Sequence, residues 1–294
     1  MLTAIIAVTL IVPDLGAIER AYGAYLGYQV VERGSLPADV AALWNASALA
    51  GREYMVMRPA SGAAVYLRVV QQDPVDGYAA MKTLGWNSNE ILVQDTYAIR
   101  RKLEGSPFEV IGEPKGLSMN PEIVAMQALG PAGELIYLTR IPEGKSLFNL
   151  GSARSFVDRT FIVVLGGHDM QAMRRFYADT LRMPVTEAAP STISVLARAW
   201  DLPAETQFPL AIVRFPQDFL IELDEYPASA APRPQREGEL PPGIAMVTFQ
   251  VADLDAIEAD FVTPPQRIDA FPYAGRRAAL LRGAAGELIE LIED

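Results

Sequence analysis

The strongest constraint on what this chain can fold into is an internal repeat. Four times an apolar stretch runs into Asp-x-x-Ala-Ile or Asp-x-x-Ala-Met: VTLIVPDLGAI at Asp14, ILVQDTYAI at Asp95, VLGGHDMQAM at Asp169 and VTFQVADLDAI at Asp253. A period of about 80 residues marks one supersecondary unit used repeatedly. Each Asp is placed to cap a helix, because its short carboxylate accepts the unpaired amide hydrogens of a first turn. Behind the first cap Leu15, Ile18, Tyr22, Tyr25 and Leu26 fall on one helical stripe; behind the third, Met170, Met173, Phe176, Tyr177 and Leu181 do the same. Short β-type runs then close every unit: EYMVMRP with AAVYLRVV, EIVAMQAL with ELIYL, LAIVRF with FLIELDEY, and AALLRG with ELIELIE. The expected class is α+β, with helix following strand in all four units.

The units also pair at a higher level. Arg58 aligns with Arg214, Tyr66 with Glu222 and Glu134 with Glu287, so the first half duplicates the second. The polar, glycine-containing stretch PEGKSLFNLGSARSF between them reads as a linker. The organisation predicted from chain order is a domain of units 1 and 2 over residues 1–142, a linker over 143–156 and a domain of units 3 and 4 over 157–294.

Composition narrows the chemistry. Hydrophobic residues make up 50% of the 294 and charged residues 21%, a globular balance that supports a buried core. A net charge of -11 disfavours nucleic acid and anionic membrane surfaces, which leaves a small organic molecule as the expected partner. There is no cysteine, which excludes disulfides and thiolate chemistry. The single histidine, His168, excludes a two-His iron site and a His-rich zinc site within one chain, and its place after Gly166 and Gly167 predicts an exposed turn. The amino-terminal MLTAIIAVTLIVPD lacks a basic region, and its apolar run stops at Pro13, too early for a membrane span. It reads as a strand, and a cytoplasmic location is expected.

VPDLGAIERAYGAYLG and, more loosely, HDMQAMRRFYADTLRM resemble the helix entry of the vicinal oxygen chelate superfamily, which includes glyoxalase I, bleomycin-resistance proteins and extradiol dioxygenases. GPAGELIYL and RGAAGELIEL resemble its closing strand. The resemblance covers nearly the whole chain. It implies four βαβββ modules paired into two glyoxalase-like domains with cup-shaped mixed sheets, in a layout similar to a two-domain extradiol dioxygenase.

In that family a metal usually sits in the cup, held by first-strand and last-strand residues, commonly His and Glu. Alignment on the capping Asp puts Ala7, Ser88, Phe161 or Ile162, and Met246 at the first-strand positions, none a good ligand. The last-strand positions are Tyr66, Tyr137, Glu222 and Glu290. The resemblance therefore implies Glu222 and Glu290 as catalytic carboxylates sharing one cup, with Tyr66, Tyr137, Arg214 and Trp86 as substrate-binding residues. No metal or cofactor is expected; the alternative is Mg²⁺, Mn²⁺ or Fe²⁺ held by Glu222 and Glu290. Ring-cleaving dioxygenase chemistry is disfavoured because the histidines are missing.

The expected function is a lyase or isomerase step run by carboxylate acid/base chemistry, in a monomer or homodimer. The alternatives are a non-catalytic binding protein resembling bleomycin-resistance proteins, which sequesters a hydrophobic or cationic compound, and a first domain kept only as a scaffold. The bland counterparts are glutamates satisfied by arginines, tyrosines serving as core, and an Arg214 that merely solvates a strand end.

Overall fold

The computed structural model describes all residues 1–294. Unit 1 comprises β1 (Leu2–Val12), α1 (Leu15–Ala21), β2 (Gln29–Ser35), α2 (Ala38–Leu43), β3 (Glu53–Arg58) and β4 (Tyr66–Gln71). Unit 2 comprises β5 (Gly85–Val93), α3 (Thr96–Lys102), β6 (Glu109–Gly116), β7 (Val124–Leu129) and β8 (Leu135–Arg140). Unit 3 repeats unit 1 with β9 (Val157–Gly167), α4 (Met170–Arg175), β10 (Ala189–Thr192), α5 (Ser194–Ala199), β11 (Gln207–Arg214) and β12 (Leu220–Glu225). Unit 4 contains only strands: β13 (Gly243–Val251), β14 (Thr263–Arg267), β15 (Arg277–Arg282) and β16 (Leu288–Glu293).

Three of the four capping aspartates act as expected. Asp14, Asp95 and Asp169 accept from the amides of Ala17, Ala98 and Ala172 at 3.0, 2.9 and 2.8 Å. The fourth helix does not form: Asp253 accepts from the amide of Asp255 in a turn, and the chain enters β14 at Thr263. Pro264 and Pro265 keep the chain extended in β14, because neither can donate in a helix and each biases the residue before it toward extended backbone. His168 is exposed at the turn before α4, as its glycine neighbours predict.

The strands form two eight-stranded sheets, β14-β15-β16-β13-β1-β4-β3-β2 and β10-β11-β12-β9-β5-β8-β7-β6. β1 pairs antiparallel with β13, and β5 with β9. Unit 1 is thus joined edge to edge with unit 4, and unit 2 with unit 3. The pairing of units 1 with 2 and 3 with 4 expected from chain order is not what the sheets do, and each half of the chain contributes to both.

Consecutive units meet instead through the core between the sheets. That core takes Val8, Leu67, Val247 and Leu291 from one sheet, Ile91, Leu138, Val163 and Leu223 from the other, and the apolar stripes of α1, α3 and α4. Alternation along each strand sends the remaining side chains to the opposite, outer face.

Two clasps cross this core. The Tyr22 hydroxyl, in a π-helical turn that extends α1, donates to Glu134 at 2.9 Å; the Tyr177 hydroxyl, in the equivalent turn after α4, donates to Glu287 at 3.1 Å. Each glutamate also accepts from a backbone amide of its own hairpin, Ala132 or Ala285. A side chain at Gly130 or Gly283 would collide with that carboxylate, which gives a physical reason for the repeated Gly-x-x-Gly-Glu. No helix is long and apolar enough to cross a membrane.

Candidate functional site

Strand register defines which residues share a level on each outer face. Arg68 lies beside Thr9 in the parallel pair of β4 with β1, and Glu290 beside Thr248 in the pair of β16 with β13. In the second sheet Glu222 lies beside Val164, and Tyr137 beside Glu90. The equivalent quartets are therefore Thr9, Arg68, Thr248 and Glu290 in a first cup made by units 1 and 4, and Val164, Glu222, Glu90 and Tyr137 in a second cup made by units 2 and 3.

Glu222 corresponds to Arg68, not to Tyr66. The hairpin after Arg58 runs over 59–65 and the one after Arg214 over 215–219, so counting from the arginines mispairs the strands that follow. The first-strand level also lies two residues beyond Ala7, Ser88 and Met246, at Thr9, Glu90 and Thr248.

The first cup is closed by its own side chains. Arg68 donates to Glu290 at 2.8 Å, to Thr9 at 3.0 and 2.8 Å, to Thr248 at 3.1 Å and to the Tyr273 hydroxyl at 3.1 Å. Glu290 further accepts from Trp44 Nε1 at 2.6 Å and from the Tyr273 and Thr248 hydroxyls at 2.5 Å. The Trp44 ring lies 4.4 Å from the guanidinium carbon. Arg68 and Glu290 are 2% and 0% exposed. Burial works against the Arg68 charge, and the neighbouring Glu290 carboxylate more than offsets it, so the guanidinium holds its proton more firmly than an exposed one. Leu36, Val40 and Trp44, from around α2, complete the cover. Tyr66 sits at the edge of this cup with its ring against Phe271.

The second cup carries acids and no counter-cation. Glu90 accepts from the Thr139 hydroxyl at 2.5 Å, and Glu222 and Asp224 stand two residues apart on the same face of β12. None of the three acids is ion-paired. Burial pushes the Glu90 carboxyl up to about 7, with the Thr139 bond pulling the other way. Glu222 is driven well above the ordinary range by burial and then by the charges of Asp224 and Glu90. Asp224 is also raised by burial, against the opposing pull of Glu222. Burial and these same three acids keep the Tyr137 phenol protonated.

This cup is less tightly sealed, since Glu222, Tyr137 and Gln127 are half-buried. Its cover, α5, packs Val195 and Leu196 against Leu135, Phe208 and Tyr226. Trp200 ends α5 as Trp44 ends α2, but its Nε1 donates outward to the Met81 carbonyl at 2.9 Å, and the Lys82 ammonium lies 4.5 Å over its ring.

Glu222 and Glu290 thus lie on different sheets, and the shared cup expected from sequence does not exist. Glu290 is satisfied by an arginine, its bland reading. Tyr137 stands beside Glu222, whereas Tyr66 belongs to the first cup. Trp86 is turned into the core between the sheets by a register shift before Ser88, packs on Phe249 and donates to the Leu288 carbonyl. Arg214 is exposed at a strand end, in a depression of about 420 Å³ with Phe148 and Phe215, away from either quartet.

The residues missed from sequence are Arg68, Glu90, Asp224, Trp44 and Tyr273. A charged side chain at mid-strand in YLRVV and in GWNSNEILV was the available signal for the first two.

The donor sets do not match a family-type metal site. In the first cup a guanidinium already occupies the carboxylate, and nowhere does a group of three or more His, Asp or Glu side chains converge to hold a metal ion.

No protein-family model matches the sequence, and no curated protein sequence does. Among solved structures, glyoxalase I from Zea mays is similar over 98% of this chain and 92% of its own, at 13% identity and a TM-score of 0.64. A single-substitution variant of the same enzyme is similar over 98% and 93%, at 13% identity and a TM-score of 0.66. A candidate dioxygenase from Bacillus subtilis is similar over 100% and 86%, at 13% identity and a TM-score of 0.62. With βαβββ-type units paired into two mixed sheets and this likeness running almost end to end, the chain has the fold of the vicinal oxygen chelate superfamily.

Proposed function

We propose that the second cup is a proton-transfer site and that the protein is a small-molecule lyase or isomerase. The observation that carries this reading is the group Glu90, Glu222 and Asp224 beside Tyr137, buried together with no cationic side chain bonded to any of the acids. Acids raised toward neutrality exchange protons near neutral pH, as general catalysis requires. Glu90, near 7, takes a proton from the carbon next to a substrate carbonyl. The C–H electron pair becomes the carbon–carbon double bond of an enolate as the carbonyl π pair moves onto the oxygen, which accepts hydrogen bonds from the Tyr137 phenol and the protonated Glu222. In a 2-hydroxy carbonyl compound, protonation of that oxygen, loss of the other hydroxyl proton and return of the Glu90 proton to the former carbonyl carbon complete an isomerisation; departure of a group with its bonding pair from the carbon on the other side of the deprotonated one completes an elimination.

The test is exchange of carbon-bound hydrogen with D₂O, followed by proton NMR across a panel of 2-oxo and 2-hydroxy carbonyl compounds. At least one compound should exchange, and Glu90→Gln and Glu222→Gln should each slow it by about 100-fold or more. No exchange in any compound, or equal exchange in both variants, would sink the proposal. Sequestration without chemistry is favoured by one feature, the Asp224 Oδ1 that bonds nothing in the chain and is free to hold a ligand.

A further inference from the structure

We infer that the second cup binds the cationic head of an organic molecule, a guanidinium or primary ammonium on an apolar stem, in the place that Arg68 fills in the first cup. The inference rests on the second cup being the functional one, and it names the substrate class.

The molecule contains its own precedent. In the first cup one guanidinium meets a carboxylate, two threonine hydroxyls and a phenol, all buried. The equivalent level of the second cup lacks the donor and carries acceptors of its own: Glu222 stands at the Arg68 position, Glu90 at the Thr248 position and Tyr137 at the Glu290 position, with Val164 in place of Thr9. Asp224 adds a third acid.

A second, independent set of observations points to a ligand. Ser88 lies on the same face as Glu90, is 0% exposed, and its hydroxyl bonds nothing in the chain. The Tyr226 hydroxyl, on the face of Glu222 and Asp224, is likewise buried at 3% exposure without a partner. Buried polar groups are costly unless bonded. Three acids, a hydroxyl and a phenol around one level offer acceptors that a guanidinium, with five N–H groups and no acceptor, or an ammonium, with three, would satisfy together. Partly exposed Ile212 on β11 borders the level beside Glu222 and suits an apolar stem, while Gln127 on β7 lies beside Tyr137. A bare divalent ion fits less well, because no three of these side chains converge as metal ligands.

The experiment is isothermal titration calorimetry of the intact protein with butylguanidinium and butylammonium, each against a neutral isostere, N-butylurea or 1-butanol. One-to-one binding is expected, with at least one cation about tenfold or more tighter than its isostere. Glu222→Gln and Asp224→Asn should each weaken it about tenfold, and thermal unfolding confirms that both variants fold. The titratable groups facing the level are Glu90 from β5, Tyr137 from β8, Glu222 and Asp224 from β12 and Tyr226 just after it, with Tyr78 and Arg233 near Tyr226. Binding should therefore release protons, read as a dependence of the measured heat on the ionisation enthalpy of the buffer.

Equal affinity for cation and isostere, no saturable binding up to about 10 mM, unchanged affinity in both folded variants, or binding of Mn²⁺ in place of either cation would each overturn the inference. Cation binding without any carbon–hydrogen exchange would leave this inference standing and remove the proton-transfer reading. Exchange on neutral compounds without cation binding would do the reverse.

Discussion

In the first cup Arg68 sits 2.8 Å from Glu290 under a Trp44 lid, and the pair is shut away from solvent. In the second, Glu222 stands where Arg68 would stand, Tyr137 where Glu290 would, and both are half-buried beneath an α5 whose Trp200 turns outward. The difference teaches where charge is compensated. One cup carries the opposite charge in its own sequence and gains packing; the other leaves its acids without a counter-ion, and burial raises their affinity for protons. A site that satisfies itself has little left to offer a ligand, which is why the proposed function is placed at the unsatisfied one.

The largest expected effect breaks the first cup. Arg68→Leu leaves Glu290 buried and unpaired and should cost about 3–5 kcal/mol in urea unfolding, whereas the double replacement Arg68→Leu with Glu290→Leu should recover most of that loss. If the two single losses simply add, the pair is not the closed unit described here. In the second cup the same class of change should act oppositely: Glu90→Gln removes an acid held by burial, so stability at pH 8 should stay level or rise even though proton exchange falls.

A pH profile sharpens the contrast. Glu90, Glu134 and Glu287 are each raised by burial from 4.5 to about 7, so the folded state binds more protons than the unfolded chain between those values. Stability is then fully present below the unfolded range and falls as pH rises toward and through 7, by on the order of 3 kcal/mol for each group. Thermal unfolding from pH 5 to 8 should show this decline, and Glu90→Gln should flatten its own share. A melting temperature that climbs over this range would contradict the burial of these acids.

The smallest effect separates the two lids. Trp44→Phe removes a bond to a buried carboxylate and should cost about 2 kcal/mol. Trp200→Phe loses only a bond to a backbone carbonyl at a half-buried site and should cost about 1 kcal/mol or less. Equal losses would mean that the second lid is as tightly seated as the first.

Much of the fold was legible in the sequence because its signals are local. The aspartate caps, the helical stripes and the Gly-x-x-Gly-Glu turns each depend on residues a few positions apart. Sheet pairing was not legible, because β1, β5, β9 and β13 are the equivalent first strands of their units and no short-range feature says which edge meets which. The extended backbone of β14 could have been read from Pro264 and Pro265, but nothing in the residues directly after Asp253 announced the missing helix. The site was read at the right strands but the wrong level: hairpins of unequal length displaced the match between Tyr66 and Glu222 by two residues. The shift before Ser88 also sent Trp86 to the other face, which strict alternation could not anticipate.

The clasps from Tyr22 to Glu134 and from Tyr177 to Glu287, with the crossed pairing of units, make the chain a fused dimer of two half-chains. Two separate, identical halves associating this way would build two identical cups by symmetry, each repeating every substitution of the other. Covalent fusion removes that constraint. It allows arginine at one cup and glutamate at the equivalent place in its twin, so that one copy can serve as a keystone while the other remains open to change.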